Sequence, residues 1–482
     1  MTTLVWCQRE LRLQHHLGLQ MALKQPDLVI FSYFHDPKLT IGGTESANSL
    51  WLAKSLQALQ TDIQNLGGAI WIHEGDFAEQ FTQLLKTHNI TEVIYSFQPG
   101  EPFVTQQNLA LQICQTHQVK LTPLYSEFLI EPSRFSNQQG KPYLVFTPFY
   151  KALMQRQDQC HTLDAAIPDL KATAQIPVPE SAKHLPQSLQ ALLQKPWAQK
   201  LLAHWDISEA AAWQQADSFL ANSVQNYDTD RDFPAIDASS RLSPYLQFGQ
   251  ISVSGLFTEC QARIANGSLK AEAVQPWMRQ LVWKEFARHL LCWFPHAETQ
   301  PFQAKYNAMD WADADENTQA WQLSQTGIPI IDAGMRELWA TGTMHNRLRM
   351  LVASLLTKNL HQHWLLGKNW FDFTLFDADP ANNVMGWQWV AGCGVDAAPY
   401  YRLFNPVTQS VKFDAEGLYI RRWVPELKNL SNKAIHAPWE HTQECQMKGI
   451  ILGKTYPKPI VNLAESRQDH LARVQSLKTP IC

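Results

Sequence analysis

Charge is scarce in this chain. Asp, Glu, Lys and Arg make up 17% of its 482 residues, against roughly 25% in an average soluble domain. Forty basic and 44 acidic residues leave a formal net charge of −4, which excludes a uniformly basic coat for nucleic acid. A polyanion has to be held by a local basic patch. Metal and dithiol motifs are missing too: none of the eight cysteines has a partner at C-x-x-C spacing, so neither a zinc site nor a disulfide framework is expected. No run of about 18 apolar residues is present, and the opening MTTLVWCQRELRL meets charge too early for a secretory leader. These absences lead us to expect a cytoplasmic chain with reduced thiols and no membrane partner. G-x-G-x-x-G and Walker motifs, internal repeats and low-complexity tracts are likewise absent.

What is abundant is apolar and aromatic. Hydrophobic residues reach 45%, and there are 18 tryptophans, enough for large cores at a length that suggests two domains. Residues 1–130 alternate β-rich runs at 3–8, 28–34, 69–74, 92–97 and 119–125 with helical patterns, and Gly67-Gly68 reads as a helix stop before the third run. The pattern predicts a doubly wound, parallel α/β domain. Residues 131–200, punctuated by Pro168, Pro177, Pro179, Pro186 and Pro196, read as an inter-domain connector. From 201 to 482 helical periodicity takes over and predicts an all-α domain, with long buried helices at 277–294 and 344–364.

The densest constellation is FDADPANNVMGWQWVAGCGVDAAPYYRLFNP, residues 376–406. Asp377 and Asp379 precede a helix start at Pro380. Asn383 and Trp387 fall on one helical face, and Met385 and Trp389 on another. On spacing alone the plainer reading, an acidic helix start followed by an aromatic core helix, is favoured.

Several further segments change that balance. The runs LVWCQRELRL, GKPYLVFTPFYKAL (140–153), DRDFPAIDASSRLSPYLQFGQIS (230–252), WMRQLVWKEFARHL, TGIPIIDAGMREL and TGTMHNRLRM, together with 376–406, resemble in order the photolyase–cryptochrome family. Within that family the chain looks most like bacterial class I cyclobutane pyrimidine dimer photolyases. The resemblance implies an α/β antenna domain, an all-helical domain burying a bent FAD, and light-driven repair of UV-damaged DNA by a monomeric lyase. Carried over motif by motif, it assigns Tyr227 and the run Ser239, Ser240, Arg241, Leu242 and Ser243 to the cofactor diphosphate. Trp277, Gln280, Lys284 and Asn346 fall among the flavin contacts. Asp377 and Arg349 match a buried ion pair beside the ring, Asp379 the carboxylate at its edge, and Asn383 the residue facing N5. Trp387, Trp364 and Trp311 match the electron-relaying chain. Trp283 and Trp389 match the two tryptophans that stack on the extruded lesion, and Met350 lines its pocket. Arg231, Lys284, Asn346, Arg347 and Arg402 match groups that meet the DNA.

The departures from the pattern are specific. Gln280 stands where dimer photolyases carry a glutamate, so the site keeps a donor and an acceptor but loses a charge and a transferable proton. Thr343 replaces a larger aromatic, and His345 is a lone histidine at the wrong register for the (6-4) branch. The usual F-R-R-D-L-R-L reads CQRELRL. For a second chromophore of folate or deazaflavin type, Glu101 is the only carboxylate that comes forward. Gln280 and Thr343 keep open a cryptochrome-like photoreceptor with weak repair, and a flavin-free helical protein remains the plain alternative.

Overall fold

The computed structural model describes residues 1–25, 27–396 and 402–476. They fall into two compact units. The first comprises Met1–Tyr227, Ser240–Pro295 and Phe376–Ala381, and the second Asp228–Ser239, His296–Leu375 and Asn382–Cys482.

The first unit is built on five parallel strands: β1 (Thr2–Cys7), β2 (Leu28–His35), β3 (Trp71–Glu74), β4 (Ile90–Ser96) and β5 (Lys120–Leu124). Their order is β3-β2-β1-β4-β5. β1 is buried along its whole length, as a parallel strand covered on both faces must be. Helices α1 (Ala47–Asn65), α2 (Phe77–Thr87) and α3 (Phe103–His117) complete the winding. Ser46 and Asp76 cap the first two by accepting backbone N–H groups of Ser49 and Glu79. On one side of the sheet Trp6 packs against Phe77, Phe81 and Tyr95, with ring centroids 5.1, 5.6 and 5.2 Å away. In α1, the Trp51 indole donates to Gln250 Oε1 at 2.8 Å and packs on Tyr245, Phe248 and Phe376. The chain order reverses between β1 and β4, and the carboxyl ends of those strands are where open α/β sheets take ligands.

The proline-rich stretch does not behave as a spacer. Leu189, Leu192 and Leu193 are buried, and the Glu74 carboxylate at the end of β3 accepts the Gln187 N–H at 2.8 Å. Leucines three and four apart give the segment an apolar stripe, so it folds onto the first unit. The compact units therefore divide the chain elsewhere than at 130 and 200. Helix α4 (Ala271–Trp293) belongs to the same unit. Its buried Glu285 accepts the N–H groups of Leu129 (2.8 Å) and Ile130 (3.2 Å), which ties the segment after the sheet to the helix.

The second unit is helical, but 344–364 is not the single helix its periodicity predicts. Helix α5 (Asn346–Ser354) passes into a π turn at Leu355–Asn359, and the next helix, α6, begins only at Trp364 and runs to Thr374. His361 adopts a left-handed φ of 59°, a conformation no α-helix admits. Helix α7 spans Pro380–Ala391, starting where Pro380 was expected to start it. At Gly327 (φ 72°) an added Cβ would lie 2.3 Å from the Lys458 carbonyl carbon and oxygen. The fully buried Asp332 secures that turn by accepting from the N–H groups of Thr326 and Gly327 and from the Tyr456 hydroxyl. Among the described residues no helix is long and apolar enough to cross a membrane, and no group of three His, Cys, Asp or Glu residues is placed to hold a metal.

Candidate functional site

In the first unit the chemistry gathers on Asp379, whose side chain is 4% exposed. Its Oδ2 meets Arg9 Nη1 at 3.1 Å, Lys284 Nζ at 3.0 Å and Arg288 Nη1 at 3.8 Å. Among the described residues, three cations meet one carboxylate here, so this buried cluster is net positive. That is an unfavourable arrangement unless an electron-rich group lies alongside. Burial pulls the Arg9 guanidinium down to about 10 although Asp379 pulls it up. The Lys284 ammonium is lowered for the same reason, with Asp379 again opposing. The Lys284 side chain is 14% exposed in this pairing. Arg9 and Arg288 were not foreseen. The signal was available for Arg288, four residues beyond Lys284 on one face of α4.

Other expected residues of this unit fall on or near α4. Trp277 is buried against Phe219 (5.2 Å), which also meets Tyr227 edge-on at 5.7 Å. Gln280 turns its amide back on its own helix, with Nε2 donating to the Pro276 carbonyl at 3.2 Å. Trp283 lies flat on Phe146, with centroids 3.6 Å apart and planes 6° from parallel. Arg279 sits over the rings of Phe146 and Tyr150, 4.8 Å from each. Arg241 takes a left-handed φ of 53° and spreads its guanidinium over Trp205 at 4.4 Å. The Ser240 carbonyl accepts from Gln215 at 3.1 Å, Leu242 is buried, and Ser239 and Ser243 are exposed.

The carboxyl ends of the strands also border a small cleft of about 40 Å³ lined by Arg9, Tyr33, His35, Asn48, Phe103 and Phe248, among others. Arg9 Nη2, His35 Nε2 and Asn48 Nδ2 are buried without a hydrogen-bond partner among the described residues. Buried polar atoms without partners call for a ligand or water. Glu101 lies one residue before the cleft-lining Pro102 and accepts the Thr105 hydroxyl at 2.6 Å.

In the second unit Asn383, 8% exposed, donates from Nδ2 to the Lys368 carbonyl (3.0 Å) and to Asp372 Oδ1 (2.7 Å). No donor reaches its Oδ1 among the described residues. Three residues on, a Cβ added at Gly386 would meet no described atom within 4 Å, so this face of α7 borders open space. Trp387 packs so closely on α6 that a Cβ at Gly367 would lie 2.0 Å from its ring. Its ring neighbours include Phe371 and Trp321, at 5.0 and 6.1 Å. Trp364, one turn before Gly367, stacks on His363, and Trp311 contacts both His361 and His363. Trp364 and Trp311 thus meet through His363, and Trp387 packs on the same helix, α6, at Gly367 and Phe371. Taken unit by unit, the donor set suits a flavin: a cationic cluster fits an electron-rich ring, and an unpartnered amide oxygen beside open space fits a ring N–H.

The remaining residues of this unit lie nearer the surface. Arg231 pairs with Asp228 at 3.6 Å, and Arg347 pairs with Asp232 at 2.6 Å while lying 4.2 Å over Phe413. Asn346 and Arg402 are exposed, and Met350 is half-buried. Trp389 is offset-stacked with Phe404 at 6.5 Å. Arg349 Nε donates to the Met344 carbonyl at 2.8 Å, and Asp377 belongs to the first unit. His345 caps α5 by accepting the Arg347 N–H, and burial pushes its imidazole down to about 4.

Comparison with known proteins adds the following. The family model for DNA photolyase matches residues 3–171, and that for the FAD binding domain of DNA photolyase matches 277–476. The chain is 36% identical over 477 residues to the deoxyribodipyrimidine photo-lyase of Agrobacterium fabrum, covering 98% of each. A bacterial class III photolyase from Agrobacterium tumefaciens superposes with a TM-score of 0.90 at 34% identity, covering 99% of this chain and 98% of that one. A cryptochrome of Synechocystis superposes with a TM-score of 0.88 at 26% identity, covering 98% of both chains.

Proposed function

The chain belongs to the DNA photolyase family and carries that family's FAD-binding domain, and on that premise we propose that it repairs cyclobutane pyrimidine dimers in UV-damaged DNA under blue or near-UV light. Functionally we divide it into an antenna domain at 1–130, a connecting segment at 131–200 and a catalytic domain at 201–482. A bound, reduced FAD would supply reversible one-electron chemistry, while the protein supplies binding, orientation and electrostatics. The observation that carries the repair reading is the Trp283–Phe146 stack. A lesion can reach a buried cofactor only if it is extruded. Extrusion needs a flat, rigid apolar wall to replace lost base stacking. Phe146 covers one face of the Trp283 indole, which leaves the other as that wall.

Asp379 and its three cations hold the cofactor ring edge, and Asn383 faces N5. Tyr227 and the 239–243 run hold the diphosphate. Trp387, Trp364 and Trp311 carry electrons inward around α6. Arg231, Arg347 and Arg402 meet phosphates in competition with their own carboxylate or aromatic partners, which makes binding sensitive to salt. The cleft with three unpartnered polar atoms is our candidate site for a second chromophore. The half-buried, neutral His345 serves as a helix cap, which argues against (6-4) chemistry.

One observation favours the second reading, a cryptochrome-like photoreceptor with weak repair: the Gln280 amide is engaged with Pro276 instead of standing free for a base edge. The deciding experiment is illuminated repair of defined oligonucleotides carrying either a cyclobutane dimer or a (6-4) product. Dimer splitting that requires light supports the enzyme; no splitting of either lesion by flavin-loaded protein ends that reading.

A further inference from the structure

An asparagine amide can present either its oxygen or its nitrogen to a neighbour, and the hydrogen-bond network around it decides which. For Asn383 both inward partners are pure acceptors. The Lys368 carbonyl oxygen lies 3.0 Å from the amide nitrogen, and Asp372 Oδ1 lies 2.7 Å from it. Both N–H bonds are therefore committed inward. Turning the amide over would set a carbonyl oxygen against a backbone carbonyl and a carboxylate, losing two hydrogen bonds and adding repulsion in a buried place. Asp372 is itself held: Lys368 Nζ lies 2.8 Å from its Oδ2, one helical turn away, with side chains 15% and 11% exposed. Lys368 thus fixes Asn383 twice, with its backbone oxygen directly and with its ammonium through Asp372. The amide oxygen, for which no donor exists among the described residues, is the group left to face outward beside the open space at Gly386.

We propose that Asp372, anchored by Lys368, is a positioning residue that locks Asn383 as a hydrogen-bond acceptor toward the flavin ring. The inference rests on the reading that Asn383 borders the flavin. An acceptor at that edge favours a ring that carries a hydrogen there over one that does not, so the clamp biases the bound cofactor toward its reduced form. Asp372 does not touch the cofactor; it acts through the direction in which Asn383 points.

The test is the midpoint potential of the bound flavin, measured on the purified flavin-loaded protein by equilibrium reduction against a reference dye. Asp372→Asn keeps the shape of the side chain but can donate as well as accept, so it no longer dictates the Asn383 orientation. The expected result is a roughly tenfold loss of preference for reduced over oxidised flavin, a downward shift of about 30 mV for a two-electron couple. Asn383→Ala should shift the potential equally, and Asp372→Asn added to Asn383→Ala should shift it no further. If Asp372→Asn does not fold, Lys368→Met carries the same test: it keeps the backbone oxygen, frees the carboxylate, and should lower the potential only while Asn383 is present. A wild-type potential in the foldable Asp372 or Lys368 variant, while Asn383→Ala moves it, overturns the proposal. So does an undiminished shift in the Asn383→Ala background, which would make Asp372 act by charge alone. If Asn383→Ala leaves the potential unchanged, the underlying reading fails instead, because Asn383 then does not border the ring.

Discussion

Arg9 and Asp379 are 370 residues apart in sequence and joined at 3.1 Å with both side chains about 5% exposed or less. The first loop after β1 is thereby locked to the residue that precedes Pro380. Arg9 also turns its second terminal nitrogen, unpartnered, toward the cleft at the strand ends. One guanidinium therefore borders both candidate sites of the first unit.

Asp379→Ala removes the carboxylate that pairs with Arg9, Lys284 and Arg288. Stranding a buried charge costs about 3–5 kcal/mol, so thermal denaturation should occur at a clearly lower temperature. Flavin recovered per protein should fall below half of the wild-type value. Unchanged flavin stoichiometry would remove Asp379 from the cofactor site.

Gln280→Glu restores a carboxylate where dimer photolyases have one. Repair of a dimer-containing oligonucleotide per absorbed photon should rise about tenfold, equivalent to about 1.4 kcal/mol of barrier, with (6-4) repair unmoved. No change in dimer repair would make Gln280 an equal substitute.

Phe146→Leu takes away the ring beneath Trp283. Aromatic stacking is worth about 1 kcal/mol beyond burial, so the Kd for lesion DNA should weaken about fivefold while the Kd for undamaged DNA stays level. Equal weakening of both would mean a loss of general packing.

Arg347→Gln tests the phosphate-side cations. Affinity should weaken uniformly across DNA sequences, and the slope of log K against log salt should become shallower by about one. A retained slope would assign Arg347 to its Asp232 pairing alone.

The contribution of Glu10 to stability should fall as pH rises toward neutrality. Burial and the nearby Glu127 raise its carboxyl to about 7, against the pull of Arg12. A carboxyl whose folded value lies above its unfolded value binds more protons in the folded state between the two. Its stabilising contribution is complete below about 4.5 and is lost as pH rises through about 7. Thermal melts from pH 4.5 to 7.5 should show the wild type losing stability relative to Glu10→Gln as pH rises. Matching profiles would show that Glu10 ionises freely in the folded chain.

Much of the architecture was legible because it follows from local periodicity. The five β-rich runs, Gly67 after α1 and Pro380 at the start of α7 are all where short-range chemistry puts them. Local pattern misled where burial outweighed it. Residues 344–364 read as one helix, yet the π turn and the left-handed His361 break it. The prolines at 168–196 suggested a spacer, yet Leu189, Leu192 and Leu193 fold that segment onto the first unit.

The order of residues along the chain was sufficient to set the strand and helix types and to point to the family, since hydrophobic period and motif spacing are properties of neighbours. It carried no information that Lys284 is turned inward to Asp379, that Phe146 lies beneath Trp283, or that Lys368 and Asp372 commit both hydrogens of Asn383. Those depend on which distant backbones the packed cores bring within hydrogen-bonding distance, and that is decided only when the whole chain has excluded water from between them.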